Sequence, residues 1–133
     1  MDYLLIVEDD EEALQPLSRF LEEKGYAVRT ARTKKEALAF CENGHPKILL
    51  CDLHLPDGTG LELLQKIRET SRETIFVLMT EMGEVNTVLE ALRLGADDYL
   101  FKPLTNLENV ASVIEKEIKK HPATGRTLTD ADL

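Results

Sequence analysis

Four short runs of apolar residues punctuate the chain: Leu4-Leu5-Ile6-Val7, Ile48-Leu49-Leu50-Cys51, Ile75-Phe76-Val77-Leu78-Met79 and Tyr99-Leu100-Phe101. Continuous apolar character, without the alternation of a half-exposed strand, predicts strands buried on both faces of a parallel sheet. A fifth segment, Tyr26-Ala27-Val28-Arg29, mixes polar residues in and predicts an edge strand. Between the runs the period changes to that of a helix. Leu14, Leu17 and Leu21 form one stripe; Val85, Val88, Leu89 and Leu92 form a second; Leu107, Val110, Ala111, Ile114 and Ile118 form a third. Each stripe predicts an amphipathic helix that packs on the core through those residues.

Start and stop signals agree with this division. Thr33-Lys34-Lys35-Glu36, Thr59-Gly60-Leu61-Glu62 and Thr105-Asn106-Leu107-Glu108 fit the capping box, in which a hydroxyl and a later Glu satisfy free backbone N–H groups. Gly25, Gly44 and Gly95 follow helical segments, where a left-handed residue closes a helix at low cost. The result is five βα units, and that alternation requires right-handed crossovers with helices on both faces of a parallel sheet. The expected fold class is α/β, a flavodoxin-like doubly wound five-stranded parallel sheet with helices on both faces. Pro16 lies inside the first helical pattern and removes the bond to the Glu12 carbonyl, so that helix is expected to start late or to kink. Pro122, Gly125 and small polar residues follow Lys120. The domain is therefore expected over 1–120, with 121–133 a tail or the start of a linker to a further domain.

Composition narrows the partners. The 133 residues carry 25 Asp and Glu against 16 Lys and Arg, a formal net charge of −9, on a chain that is 43% hydrophobic. Such a balance suits one folded domain and disfavours direct contact with nucleic acid or anionic membranes, both of which are bound largely through Lys and Arg. No apolar run is long enough to span a bilayer, and acidic residues appear within the first ten positions. A cytoplasmic protein is expected. Cys41 and Cys51 have neither metal-site spacing nor disulfide-framework density and read as buried or half-buried small residues.

In open α/β sheets, sites form beyond the carboxyl ends of the strands. Glu8, Asp9 and Asp10 follow the first strand, Asp52 the third, Thr80 ends the fourth and Lys102 follows the fifth. Strands one and three are expected to be neighbours, which brings Glu8, Asp9 and Asp52 together. Two unit charges about 4 Å apart repel by roughly 4 kcal/mol at an effective dielectric of about 20. Three carboxylates there need a cation or bound protons. Hard oxygen donors with room for water suit Mg²⁺. Lys102 and Thr80 add a positive charge and a hydroxyl donor, a set suited to phosphoryl transfer. Each residue alone has a plainer role: Asp9 or Asp10 as a helix cap, Thr80 as another, Lys102 as a loop cation, Asp52 as the opening of a turn.

The stretches Leu4–Asp10, Leu49–Leu63, Val77–Thr80 and Gly95–Pro103, taken in order and spacing, resemble the receiver domain of bacterial two-component response regulators over about Tyr3 to Lys120. That resemblance implies the strand order 2-1-3-4-5 for the sheet. It implies that Asp52 is the phosphoacceptor for a phosphohistidine on a sensor histidine kinase or phosphotransfer protein. It implies Glu8 and Asp9 as the acidic pair for Mg²⁺, with Asp52 and the carbonyl of His54 as further ligands. Lys102 would pair with a phosphoryl oxygen, with a cis bond to Pro103. Thr80 would turn to the phosphoryl group, and Tyr99 would report this on the face of the fourth helix, fifth strand and fifth helix. An output domain or downstream protein would read that face, and homodimerisation on phosphorylation is left open. The protein would be a signalling phosphoacceptor, catalysing only its own phosphorylation and slow dephosphorylation.

Departures from the family pattern shape behaviour. Glu81 stands where a small residue is usual, and its bulk and charge are expected to crowd the path to Asp52. Glu81→Ala is expected to accept phosphoryl groups from small donors faster than the parent chain, and equal rates overturn this. Leu104 stands where an aromatic often follows the Lys-Pro pair. His45 and His121 have no ligand partners at useful spacing and are expected at the surface. Three other classes compete. A small phosphohydrolase resembling the haloacid dehalogenase family needs Asp two residues after its nucleophile, where this chain has His54; sustained turnover of an aryl phosphate is its signature. An FMN-binding flavodoxin needs a phosphate cradle where Glu8, Asp9 and Asp10 would repel phosphate. A docking module used without phosphorylation keeps the fold and leaves these residues idle.

Overall fold

The computed structural model describes residues 2–121. The reading of 121–133 as tail or linker therefore falls, after His121, outside the described residues. Element order is β1 (Leu4–Val7), α1 (Glu11–Glu23), β2 (Val28–Ala31), α2 (Lys34–Cys41), β3 (Ile48–Asp52), β4 (His54–Leu55), β5 (Gly58–Thr59), α3 (Gly60–Thr70), β6 (Ile75–Glu81), α4 (Val85–Arg93), β7 (Asp98–Lys102) and α5 (Leu107–Lys120). Five strands form one parallel sheet in the order β2-β1-β3-β6-β7, which is the 2-1-3-4-5 arrangement. The β4–β5 pair is a small antiparallel hairpin between β3 and α3, with no forewarning in the apolar pattern.

Alternation along the strands divides the core in two. Leu5, Val7, Leu49, Cys51, Phe76 and Leu78 pack with Ala37 of α2, Leu63, Leu64 and Ile67 of α3 and Ala91 of α4. Leu4, Ile6, Leu50, Val77, Met79 and Leu100 pack on the opposite face with Leu14, Leu17 and Leu21 of α1 and Val110 and Ile114 of α5. The central strands thus have no solvated face, which is why they read as unbroken apolar runs. Cys51 is buried and Cys41 half-buried. No helix among the described residues is long and apolar enough to cross a membrane.

Several local expectations need correction. The α4 stripe does not pack as a unit: Val88 and Ala91 are buried, whereas Val85, Leu89 and Leu92 are 59%, 53% and 39% exposed. The small Ala91 lets the helix approach the sheet on a face rotated from its largest residues. Helix α1 starts at Glu11 and runs through Pro16, which is exposed, so a late start is excluded. The α5 cap is Asn106, whose side chain accepts from Asn109, and not Thr105. The box at Thr33 is half formed: Thr33 accepts from Glu36, but the Glu36 carboxylate reaches back to the Arg32 N–H. Only the Thr59–Glu62 box is reciprocal.

Helix α5 also buries a carboxyl at the amino end of β7. Glu117 is 1% exposed, and burial first, then the neighbouring Asp98, push its carboxyl above the usual range, against Lys116 and Lys120. Asp97 and Asp98 face it from β7 and the turn before it; Lys116, Lys120 and His121 surround it on α5, and Arg68 of α3 bonds Asp97. Lys116 Nζ lies 2.8 Å from Asp98 Oδ2, whereas Glu117 Oε2 lacks a hydrogen-bond partner unless a proton lies between it and Asp98. A carboxyl raised in the folded protein contributes stability that is full below its unfolded value, near 4.5, and is lost as pH rises through its folded value. Stability from this site therefore grows as pH falls from neutral toward the ordinary glutamate range. Glu117→Gln, which stays neutral and keeps a donor for Asp98, is expected to raise stability at pH 7 by about 1 kcal/mol and to remove this gain on acidification. Urea midpoints at pH 7 and pH 5 measure both, and an unchanged pH 7 midpoint counts against it.

Candidate functional site

Strand register brings the chemistry to one level at the carboxyl edge of the sheet. Val7 pairs with Cys51, Asp52 with Met79, Thr80 with Phe101 and Glu81 with Lys102. Glu8 and Asp52 therefore stand side by side one step past their paired residues. Both are buried, at 2% and 7% exposure, whereas Asp9 is exposed. Ligand oxygens of Glu8, Asp9 and Asp52 all lie within 4.8 Å of one another. Lys102 reaches across from β7, its Nζ donating to Glu8 Oε1 at 2.6 Å and to Asp52 Oδ2 at 3.3 Å. The next residue, Asp10, caps α1 by accepting from Glu12, and its own N–H donates to Glu8 Oε2 at 3.3 Å.

These contacts set the electrostatics. Burial is the largest influence on Glu8 and raises its carboxyl; Lys102 pulls it down and Asp52 pushes it up, leaving it above the usual range. Burial alone would lower the Lys102 ammonium, but its bonds and proximity to Glu8 and Asp52 outweigh that and hold it above its ordinary value. The lysine is thus charged throughout the physiological range. Three carboxylates against one ammonium leave a net charge of −2 in hard oxygen donors, a set that fits a divalent cation.

The other expected residues ring this centre. Thr80 is 1% exposed and donates its hydroxyl to Glu84 Oε1 at 3.0 Å. His54, exposed at the start of β4, places its imidazole Nε2 3.5 Å from Glu84 Oε2. Glu81 is exposed and lines a cleft with Glu8, Lys102, Pro103 and Leu104. The Lys102–Pro103 peptide bond is cis. Tyr99 is 37% exposed, its ring 5.3 Å from that of Phe101.

Sequence reasoning missed two contributors. Gly60 opens α3 directly against the acceptor strand: a Cβ there would stand 2.7 Å from the Asp52 carbonyl oxygen. Glu84, which gathers Thr80 and His54, had no motif to mark it. Two histidine expectations also change. His45 is half-buried and bonded to Thr70 Oγ1 at 2.8 Å. His121, expected at the surface without partners, is half-buried with Nε2 3.3 Å from Asp97 Oδ1 and 3.8 Å from Glu117 Oε1. The reason is the return of α5 along β7, which joins residues 24 positions apart in sequence.

A doubly wound 2-1-3-4-5 sheet with an acidic group and a lysine at its carboxyl edge defines a receiver. The chain belongs to the response regulator receiver domain family, whose sequence model matches residues 4–115, and so to two-component signal transduction. It is 37% identical over 113 residues to the acid tolerance regulatory protein ActR of Rhizobium meliloti (strain 1021), covering 85% of this chain and 58% of that one. It is 38% identical over 100 residues to the photosynthetic apparatus regulatory protein RegA of Rhodobacter capsulatus, covering 75% and 54%. The chain thus spans little more than half the length of these relatives. Among solved structures, a CheY-like receiver domain protein from Methanospirillum hungatei JF-1 superposes with a TM-score of 0.86 at 31% identity, covering 94% of this chain and 99% of that one. A beryllofluoride-activated NtrC4 receiver domain dimer superposes with a TM-score of 0.84 at 30% identity, covering 91% and 99%.

Proposed function

We propose that the chain accepts a phosphoryl group on Asp52 from the phosphohistidine of a sensor histidine kinase or phosphotransfer protein, in a phosphorelay that uses Mg²⁺. An Asp52 carboxylate oxygen attacks phosphorus as the P–N bond breaks, and the imidazole leaves with the bonding pair. Glu8, Asp9, Asp52 and the carbonyl of His54 would hold Mg²⁺, which supplies charge neutralisation on the transferring oxygens. Lys102 turns from Glu8 to a phosphoryl oxygen, and Thr80 gives its hydroxyl to another. The observation that carries this reading is the single ammonium of Lys102 held between two buried carboxylates at a strand edge.

The readout is a shift of population between arrangements of Thr80 and Tyr99 on the face of α4, β7 and α5. The exposed apolar residues Val85, Leu89 and Leu92 of α4 and the exposed Tyr99 of β7 support docking of an output domain, a downstream protein or a second copy on that face. The protein acts as a cytoplasmic signalling phosphoacceptor, without turnover of an external substrate and without direct nucleic-acid or membrane contact by this domain. The test is incubation with acetyl phosphate, with and without Mg²⁺, read by intact mass on the parent chain and Asp52→Asn. A metal-dependent gain of one phosphoryl group, absent in the variant, is expected. A gain that survives in Asp52→Asn overturns the assignment.

A further inference from the structure

Glu84 stands at the N-cap of α4 with φ −103 and ψ 48, yet its side chain makes no capping hydrogen bond. Asp10, Thr33, Thr59 and Asn106 all cap their helices through side-chain oxygens. Helix α4 alone of the five starts without that support. The carboxylate is engaged elsewhere: Oε1 accepts the Thr80 hydroxyl at 3.0 Å and Oε2 lies 3.5 Å from the His54 imidazole. One side chain thus ties the end of β6, and the second residue after Asp52, to the start of a helix with an apolar outer face. A hydroxyl has one proton to donate. While Thr80 gives it to Glu84, a phosphoryl oxygen cannot receive it.

We propose that Glu84 is a positioning residue that acts through Thr80. Its carboxylate holds the Thr80 hydroxyl in the unphosphorylated protein. Phosphorylation takes that hydroxyl, and the released carboxylate caps the first turn of α4, whose free N–H groups favour an anionic oxygen. The exchange of one hydrogen bond for another couples the acceptor to α4. The inference rests on the assignment of Asp52 and Thr80 above and adds the partner that Thr80 must leave.

Three variants separate the steps in the 133-residue chain. Glu84→Ala frees Thr80 and cannot cap. Glu84→Asp is one methylene shorter, withdraws from Thr80 and is a favoured N-cap, so it keeps the helix start in place should the alanine variant unfold. Glu84→Gln keeps an acceptor oxygen of the same reach. With acetyl phosphate and Mg²⁺, Ala and Asp variants are expected to label about tenfold faster than the parent, as expected for loss of a competing bond to a charged acceptor. The Gln variant is expected to label close to the parent rate. Amide exchange at Asn86 and Thr87 is expected to slow on labelling in the parent, to be slow already in unlabelled Glu84→Asp, and to stay fast in Glu84→Ala. Parent-like labelling in both Ala and Asp variants, or slowing of exchange on labelling in Glu84→Ala, overturns the proposal. If the parent chain does not label, the Asp52 assignment fails. The coupling then falls with it, whereas a parent that labels while the Ala and Asp variants label at its rate overturns the coupling alone.

Discussion

Lys102→Met slows labelling of Asp52 by acetyl phosphate about 10²- to 10³-fold at saturating Mg²⁺, the range seen when one preorganised charge or donor is removed from a transition state. The Lys102 side chain is 17% exposed and lies 2.6 Å from Glu8 and 3.3 Å from Asp52, so its charge acts where water screens it poorly. Met keeps most of the stem and removes only the ammonium, which separates charge from packing. Glu8 and Asp52 then face each other without a shared cation, and the folded protein also loses stability at neutral pH. Lys102→Arg retains the charge as a planar fork and is expected to recover part of the rate, since one compact ammonium now bridges both carboxylates. Initial rates by intact mass, on variants checked by circular dichroism, measure this. A Met rate within threefold of the parent would remove Lys102 from the chemistry.

Arg68→Ala destabilises the fold by about 2 to 3 kcal/mol, the cost of leaving carbonyls and a half-buried carboxylate without their charged donor. The Arg68 guanidinium is 16% exposed and donates to the carbonyls of Ser71, Thr74 and Gly95 and to Asp97 Oδ2 at 3.1 Å. It joins the end of α3, the start of β6 and the turn between α4 and β7. Burial lowers the arginine from its ordinary value against the pull of Asp97. Truncation leaves three carbonyls to find new donors and leaves Asp97 with the Phe76 N–H and His121. Lys cannot reproduce the fork, so Arg68→Lys is expected to recover less than half the loss. Urea denaturation reads the change as a lower midpoint at unchanged slope. Parent-like stability in Arg68→Ala would show that water replaces the fork at little cost.

Much of the site was legible because strand ends are legible. The apolar runs end at the carboxyl edge of the sheet, so Glu8, Asp52, Thr80 and Lys102 mark themselves as the first polar residues there. Side-chain parity does the rest: Glu8 follows Ile6, Asp52 follows Leu50 and Lys102 follows Leu100 on one face, whereas Thr80 follows Leu78 on the other. The α4 stripe was misread for a physical reason. Periodicity weighs large residues most, but a helix approaches a sheet most closely where its residues are small, and Ala91 with Val88 took the inner face.

The amino-acid sequence by itself determined the five βα units, the parallel doubly wound sheet and the set of residues at its carboxyl edge, because each follows from local period, local caps and the handedness of crossovers. Only the tertiary structure decided which partners those residues take. Lys102 lies 94 positions from Glu8 and 50 from Asp52, and Arg68 lies 29 from Asp97. Glu84 meets Thr80 through a turn whose direction no period encodes, and meets His54 across a hairpin that the apolar pattern does not signal. Hydrophobic period is a property of one segment. A hydrogen bond between side chains of different segments depends on how those segments pack, and packing is settled by the whole core at once.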